Sequence, residues 1–395
     1  AITTAGMFLG ALVGGIIGDK TGRRNAFILY EAIHIASMVV GAFSPNMDFL
    51  IACRFVMGVG LGALLVTLFA GFTEYMPGRN RGTWSSRVSF IGNWSYPLCS
   101  LIAMGLTPLI SAEWNWRVQL LIPAILSLIA TALAWRYFPE SPRWLESRGR
   151  YQEAEKVMRS IEEGVIRQTG KPLPPVVIAD DGKAPQAVPY SALLTGVLLK
   201  RVILGSCVLI AMNVVQYTLI NWLPTIFMTQ GINLKDSIVL NTMSMFGAPF
   251  GIFIAMLVMD KIPRKTMGVG LLILIAVLGY IYSLQTSMLL ITLIGFFLIT
   301  FVYMYVCYAS AVYVPEIWPT EAKLRGSGLA NAVGRISGIA APYAVAVLLS
   351  SYGVTGVFIL LGAVSIIVAI AIATIGIETK GVSVESLSID AVANK

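Results

Sequence analysis

The sequence predicts an all-α, polytopic membrane protein, and three observations support this fold class. The 395-residue chain is 57% hydrophobic and only 12% charged, whereas soluble domains carry roughly 25% charged residues. Its mean hydropathy is +0.79. About eleven apolar stretches follow one another along the chain, each near the ~20 residues that a helix needs to cross a bilayer. This composition excludes a soluble enzyme, a disordered chain and a free nucleic-acid binder.

The apolar stretches define the predicted helices in order. They cover roughly residues 1–18, 26–43, 49–73, 89–110, 118–138, 202–228, 238–259, 266–284, 288–308, 328–349 and 354–377. The stretches lack the strict two-residue alternation of membrane β-strands, which would also be shorter. The glycines near residue 60 lie inside a span, so we interpret them as close helix contacts and not as a phosphate-binding loop.

Lysine and arginine are distributed unequally between alternate loops. One set of loops contains most of them, together with the long segment after Phe138 and the C-terminus, whereas the opposite set contains only Arg117 and Lys235. The positive-inside rule places the rich side in the cytoplasm. The formal net charge of +8 is therefore expected from cytoplasmic loops without a nucleic-acid partner. The four cysteines lie in separate apolar runs, so we expect no metal site and no cofactor.

Three motifs occur twice, about 240 residues apart, which indicates an internal duplication. Residues 19–24 are echoed by 260–265, 74–82 by 316–326, and 139–141 by 377–379. We predict an N-terminal bundle (1–138), a cytoplasmic connector with a surface helix (139–201), a C-terminal bundle (202–377) and a cytoplasmic tail (378–395). The same offset places one helix before residue 1, so eleven helices of an inferred twelve are expected here. Two such halves would enclose a substrate site near mid-bilayer.

The loop Gly18-Asp19-Lys20-Thr21-Gly22-Arg23-Arg24 and the segments 139–145 and 378–381 resemble motifs of the major facilitator superfamily, in its sugar-porter-like metabolite group. The resemblance spans the chain and implies a secondary active transporter, not an enzyme, in the bacterial inner membrane. It implies a monomer that moves a small polar metabolite, a sugar or an organic acid, by alternating access with proton symport. Efflux or exchange of organic ions remains an alternative, as does a transporter-derived sensor.

The substrate residues are predicted from polar and aromatic side chains on the expected lining helices. Arg335 can hold a carboxylate or phosphate with two hydrogen bonds, buried amides need partners, and aromatic rings can stack on a substrate. The alternatives are a structural ion pair for Arg335 and interhelical packing for the amides and rings. The seventh helix of the family fold lacks the Gln-Gln pair of sugar porters, which favours an organic ion. The predicted substrate-binding residues are Arg335, Asn93, Tyr96, Gln216, Tyr217, Asn221, Trp222 and Asn331.

The charged motifs are predicted to act as gates. Asp19 can accept hydrogen bonds from the N-terminus of a neighbouring helix, and Arg23 and Arg24 can pair with Glu74 or Glu140. The alternative is that these charges only set the topology. The resemblance implies gating roles for Asp19, Gly22, Arg23, Glu74, Arg81, Glu140, Asp260, Arg264, Glu316, Arg325 and Glu378.

Two further features concern protons. Arg54 matches the arginine that pairs with an acid on the first helix of proton-coupled sugar porters, so we predict a coupling role; the alternative is that it snorkels to the interface. Glu31 and the sole histidine, His34, are neighbours on one helix face. We favour a structural pair over a proton relay, because Glu31 follows the cytoplasmic loop by only about two turns.

Overall fold

The computed structural model describes residues 2–75, 81–170, 172–173, 189–259, 261–319 and 322–380, and their side chains except those of 69–75, 81–86, 190, 323 and 324. Throughout this part of the chain the regular structure is helical, without strands. The predicted all-α fold is therefore confirmed.

The helices run as follows. The first nine are α1 (Ile2–Thr21), α2 (Arg23–Ala42), α3 (Met47–Tyr75), α4 (Arg81–Asn93), α5 (Ser95–Leu106), α6 (Ala112–Tyr137), α7 (Pro142–Ser147), α8 (Tyr151–Thr169) and α9 (Tyr190–Leu193). The remainder are α10 (Gly196–Thr229), α11 (Leu234–Met245), α12 (Gly247–Val258), α13 (Arg264–Ser283), α14 (Met288–Cys307), a π-helical turn (Tyr308–Tyr313), α15 (Val314–Glu316) and α16 (Lys323–Ile375).

The spans correspond to the apolar stretches of the sequence. Nine helical segments of the described residues are long and apolar enough to cross a membrane. The 53-residue α16 contains a break at Gly353, whose φ is 65°, so it supplies two crossings. Helices α4 and α5 are separated at Trp94, three residues before Pro97. Because proline has no N–H to donate to the carbonyl four residues earlier, it interrupts the helix there.

The chain divides into two compact units. The N-unit comprises residues 2–81 and 112–184, and the C-unit comprises 82–111 and 185–395. The sequence analysis placed 82–111 in the N-terminal bundle, whereas here α5 packs against α11 of the C-unit. The Asn241 amide nitrogen lies 3.3 Å from the Ser100 hydroxyl, and such a pair stabilises helix contacts in a membrane. Helix α8 lies where the surface helix of the connector was predicted.

In the N-unit, α1 and α3 pack through glycines. A Cβ atom at Gly10 would overlap the backbone of Val59, and one at Gly62 would overlap that of Met7. Lipid offers little hydrophobic driving force for helix association, so close packing of backbones supplies much of it. The interpretation of the mid-span glycines as helix contacts is confirmed for Gly58 and Gly62, which face α1, and for Gly60, which faces α2.

Helix α6 begins with an aromatic and cationic group. The Arg117 guanidinium lies 4.4 Å from the ring centroid of Trp116 and 5.7 Å from that of Trp114. Tryptophan and arginine of this kind anchor a helix at the membrane–water interface. The start of α6 therefore marks one edge of the apolar layer.

In the C-unit, the first part of α16 packs closely on α10. A Cβ atom at Gly334 would lie 2.8 Å from Leu209 Cβ, and one at Gly338 would lie 3.2 Å from the Tyr217 ring. These two glycines, four residues apart, form the small-residue face that permits a close helix crossing. This close crossing holds Tyr217 of α10 beside the residues of α16 that flank Gly334 and Gly338.

Candidate functional site

The polar centre of the C-unit is Arg335. It is the single charged residue between positions 326 and 375, and it lies about 15 Å along α16 from Arg325 at the rise of a helix. Its side chain is half-buried and forms no hydrogen bond or ion pair with any residue of the described part of the chain. Tyr217 lies within its electrostatic range. The guanidinium therefore carries a charge for which the described side chains provide no counter-ion.

Further aromatic and amide side chains lie next to Tyr217. Tyr217 is close to Tyr96, and the Tyr96 ring lies 5.2 Å from the Tyr303 ring in an edge-to-face arrangement. The Tyr303 hydroxyl is buried next to Tyr96 and Gln216. It makes no hydrogen bond of normal geometry within the described residues. We call Arg335, Tyr217, Tyr96, Gln216 and Tyr303 the tyrosine–arginine cluster.

Four predicted substrate residues lie outside this cluster. The amides of Asn93 and Asn331 donate to carbonyls of their own helices, Ser89 at 2.7 Å and Ser327 at 2.9 Å. Asn221 is exposed, and Trp222 packs partly buried against the apolar core of the C-unit. An amide that bonds within its own helix has less capacity left for a ligand.

Tyr303 was not among the residues selected from the sequence. Its neighbours Tyr305 and Tyr308 contact other residues, and the Tyr305 hydroxyl donates to the Val208 carbonyl at 3.1 Å. Tyr308 stacks on Tyr313 with ring centroids 5.0 Å apart. Tyr303 and Tyr96 lie on helices that are far apart in sequence, so only the packing of α5 against the C-unit brings them together.

The charged motif of the N-unit forms what we call the N-cluster. The Glu140 carboxylate accepts hydrogen bonds from the backbone N–H groups of Arg23 at 2.7 Å and Arg24 at 3.2 Å, which are the first residues of α2. A carboxylate at a helix N-terminus is favoured by the free N–H groups and by the helix dipole. Gly22 has a φ of 96°, and a Cβ atom there would overlap Glu140. The turn therefore requires glycine.

The expected role of Asp19 as a helix cap is wrong in this structure. Its carboxylate accepts from the Arg23 guanidinium at 2.7 Å, while its backbone carbonyl accepts from Trp144 at 2.8 Å and Arg148 at 2.7 Å. Glu140 reaches the N-terminus of α2 instead, because it lies three residues after the end of α6, the last membrane-spanning helix of the unit. The predicted contact of Arg23 and Arg24 with Glu140 is made by their backbone N–H groups; the Arg24 guanidinium donates to the Trp135 carbonyl.

The C-unit contains the counterpart, which we call the C-cluster. The Glu378 carboxylate accepts from the backbone N–H groups of Arg264 at 2.8 Å and Lys265 at 3.1 Å. Burial raises the pKa of Glu378, but the backbone N–H groups of Arg264, Lys265 and Lys380 outweigh it, and the net pKa is lowered. The Arg264 guanidinium makes two 3.1 Å contacts with Glu316, and the Thr379 hydroxyl donates to Glu316 at 2.6 Å.

The remaining predicted residues are placed as follows. The side chains of Glu74 and Arg81, and the whole of Asp260, lie outside the described residues. Arg325 lies in the first turn of α16. Arg54 is exposed on α3.

The chain is similar to known transporters over nearly its whole length. The pattern of the family described as "Sugar (and other) transporter" matches residues 1–391. The inner membrane metabolite transport protein YdjE of Escherichia coli is 45% identical over 97% of this chain and 84% of that protein. The niacin transporter NiaP of Acinetobacter baylyi is 26% identical over 97% of this chain and 85% of that protein.

Solved structures show the same fold. The xylose transporter XylE of Escherichia coli, in a partially occluded inward-open conformation, superimposes with a TM-score of 0.76 at 18% identity, over 97% of this chain and 87% of that one. The proton:xylose symporter XylE bound to 6-bromo-6-deoxy-D-glucose, a major facilitator superfamily protein, gives a TM-score of 0.69 at 20% identity, over 98% and 87%. At this identity the similarity establishes the fold and not the ligand.

Proposed function

The chain belongs to the sugar (and other) transporter family and has the major facilitator fold, and from this premise we propose that it carries a small organic acid in symport with protons. It is a secondary transporter of metabolites. We place it in the bacterial inner membrane, as a monomer with the Lys/Arg-rich loops and the C-terminus in the cytoplasm. Alternating access of a polar centre then moves the substrate.

Arg335 is the observation that carries the organic acid. A charge at the centre of a membrane-spanning helix costs at least about 2.5–3.5 kcal/mol on insertion scales, and such charges face a partner or a cavity. The described residues give Arg335 no acidic partner. A substrate carboxylate would supply two oxygens in the geometry of the guanidinium, and it would neutralise the charge while bound.

The rest of the tyrosine–arginine cluster fits a compact substrate with a polar head. The Tyr303 hydroxyl is buried beside Tyr96 and Gln216, so these three polar groups together can bind a polar group of the substrate. Tyr96 and Tyr217 offer ring faces beside it. A sugar would use the aromatic rings and the amide of Gln216, but it would leave Arg335 without a counter-charge, so we rank it second.

Uptake into proteoliposomes tests the proposal. The panel contains aliphatic and aromatic monocarboxylates, their uncharged amides, and monosaccharides, each measured with and without an inward proton gradient. We expect accumulation of a carboxylate but not of its amide, and collapse of accumulation with a protonophore. Accumulation of a monosaccharide alone would replace the organic acid with a sugar. Uptake unaffected by the protonophore would exclude symport and leave exchange or efflux.

Substitution of Arg335 locates the carboxylate. We expect Arg335→Ala to lower uptake by at least 10-fold, corresponding to about 1.4 kcal/mol, and Arg335→Lys to retain an intermediate rate because lysine keeps the charge without the two-point contact. Asn331→Ala is the matched control on the same helix, because that amide bonds only to its own helix among the described residues. Normal carboxylate uptake by Arg335→Ala would remove Arg335 from the site.

A further inference from the structure

Glu31 and His34 lie in the middle of a membrane-spanning helix. Helix α2 contains 20 residues and begins at Arg23, so the two side chains are close to its midpoint and about 12–17 Å from its start at the helical rise. Glu31 is buried, and the side chains of the pair are 10% and 14% exposed. The two-turn distance of Glu31 from the loop agrees with the sequence, and in a 20-residue helix it places Glu31 near the midpoint. Ionisable residues at this depth are rare and typically functional.

On the described helices that pack against α2, no other charged group lies at the depth of the pair. Helix α2 packs against α1, α3 and α6, and residues 2–18, 55–73 and 118–135 of those helices contain no Asp, Glu, Lys, Arg or His. The other titratable groups nearby are Tyr30, whose hydroxyl donates to the Gly14 carbonyl at 2.9 Å, and Cys53, which packs on Gly41. Arg54 lies six residues along α3 from Gly60, the residue of α3 that packs on the His34 backbone.

The two side chains face each other without completing a hydrogen bond. Glu31 Oε2 and His34 Nδ1 are 3.6 Å apart. Both atoms are buried, and neither has a hydrogen-bond partner in the described part of the chain. A purely structural pair would be expected to satisfy both atoms, because an unmet buried polar group costs roughly 1–3 kcal/mol. A small approach of the side chains would close a charge-assisted bond through one proton.

We propose that Glu31 and His34 together form a proton-binding site in the N-unit. With one proton the pair is neutral overall, either as carboxylate and imidazolium or as carboxylic acid and imidazole. When the proton leaves to water, a net negative charge remains among apolar helices, which is unfavourable. The pair therefore holds its proton until water enters that part of the unit. The transport role of this proton rests on the proposed symport, whereas proton binding itself does not.

Selective labelling makes the proton directly observable. The chain contains one histidine, so ¹⁵N-histidine labelling in lipid nanodiscs gives signals from His34 alone, which report its tautomer and charge. We expect the His34 signals to report proton binding as the pH is varied, and the tautomer to differ in Glu31→Gln, because the carboxylate beside Nδ1 favours a proton on that atom. Identical signals in the two proteins, or a signal that does not change with pH in either, would overturn the proposal.

Transport assays separate proton coupling from substrate binding. We expect Glu31→Gln and His34→Asn to lose at least 10-fold of proton-driven accumulation while they retain substrate counterflow, which needs no proton gradient. Ser37→Ala is the control, because Ser37 lies one turn further along α2 and its hydroxyl donates to the Ile33 carbonyl. Full proton-driven accumulation by both variants would overturn the coupling role. Counterflow by the unmodified protein without proton-driven accumulation would contradict the proposed symport. The His34 signals would then still test whether the Glu31–His34 pair binds a proton.

Discussion

The N-cluster and the C-cluster share a backbone cap, and the described ion pairs beside it differ in exposure. In each, a glutamate just after the last membrane-spanning helix of the unit, Glu140 or Glu378, accepts the first backbone N–H groups of an earlier helix. The side chains of Arg23 and Asp19 are 16% and 72% exposed, whereas those of Arg264 and Glu316 are 7% and 34% exposed. The backbone cap is therefore the shared part of the duplication, and the described ion pair of the C-cluster is the more buried of the two.

The residue that precedes the capped helix also differs between the two clusters. Gly22 precedes α2 with a φ of 96°, while Pro263 precedes α13 with a φ of −56°. One turn requires a residue without a side chain, and the other uses a residue whose φ is already fixed. The same cap is thus reached by two local solutions, and substitutions can distinguish what each contributes.

The largest difference is expected for the ion pairs. Arg264→Ala should lower the free energy of unfolding by about 3 kcal/mol, near the lower limit for removing one partner of a buried ion pair, since Glu316 is one-third exposed. Asp19→Ala should cost about 0.2–1 kcal/mol, because Asp19 is 72% exposed in its pair with Arg23. Thermal unfolding in detergent measures both, with Arg264→Lys as the charge-preserving control. Equal losses would contradict the greater contribution of the more buried pair.

The next difference concerns the turns. Gly22→Ala should destabilise by about 1–2 kcal/mol from the left-handed backbone alone, and more because its methyl group overlaps Glu140. Pro263→Ala should cost under about 1 kcal/mol, chiefly through the unfolded chain. The same melting measurement compares them, and the double variant Gly22→Ala/Glu140→Ala shows whether the overlap matters. A larger loss for Pro263→Ala would contradict this account of the turns.

The smallest expected effect is a loss of stability of the C-cluster at acidic pH. Because the pKa of Glu378 is lowered on folding, its stabilisation is complete above the unfolded value of about 4.3 and is lost as the pH falls through the folded value. The melting temperature of Glu378→Gln should therefore lie below that of the unmodified protein at pH 7, and the two should converge below about pH 4. A gap that stays constant into that acid range would show that the charge of Glu378 does not stabilise the cap.

The fold was predictable from the sequence because hydropathy and length define membrane helices almost directly. The two crossings within α16 were separated at the right place, since the predicted spans ended at 349 and began again at 354, on either side of Gly353. The packing of 82–111 with the C-unit was not predictable. It depends on pairings such as Tyr96 with Tyr303, and neither hydropathy nor the internal duplication encodes which helices become neighbours.

The sequence predicted which residue types form the candidate sites better than it predicted which contacts they make. Glu140 and Glu378 were recognised by their repeated position, and both cap helices. The sequence predicted Asp19 as the helix cap because Asp19 and Glu140 both lie near a helix end. It does not show which of the two carboxylates reaches the N–H groups of α2. Arg335 stood out as an isolated charge, whereas Tyr303 had no such signal, because a tyrosine in an apolar run is common.

The indole and guanidinium group at the start of α6 has a consequence for reconstitution. Helix α6 carries no charged residue over 118–135, about 27 Å at the helical rise, and Arg117, beside Trp114 and Trp116, holds one end at headgroup level. A hydrocarbon layer is about 30 Å thick, so this segment spans it with little lean. The acyl-chain length of the vesicles thus becomes an experimental variable, because thicker or thinner bilayers would no longer match the uncharged segment.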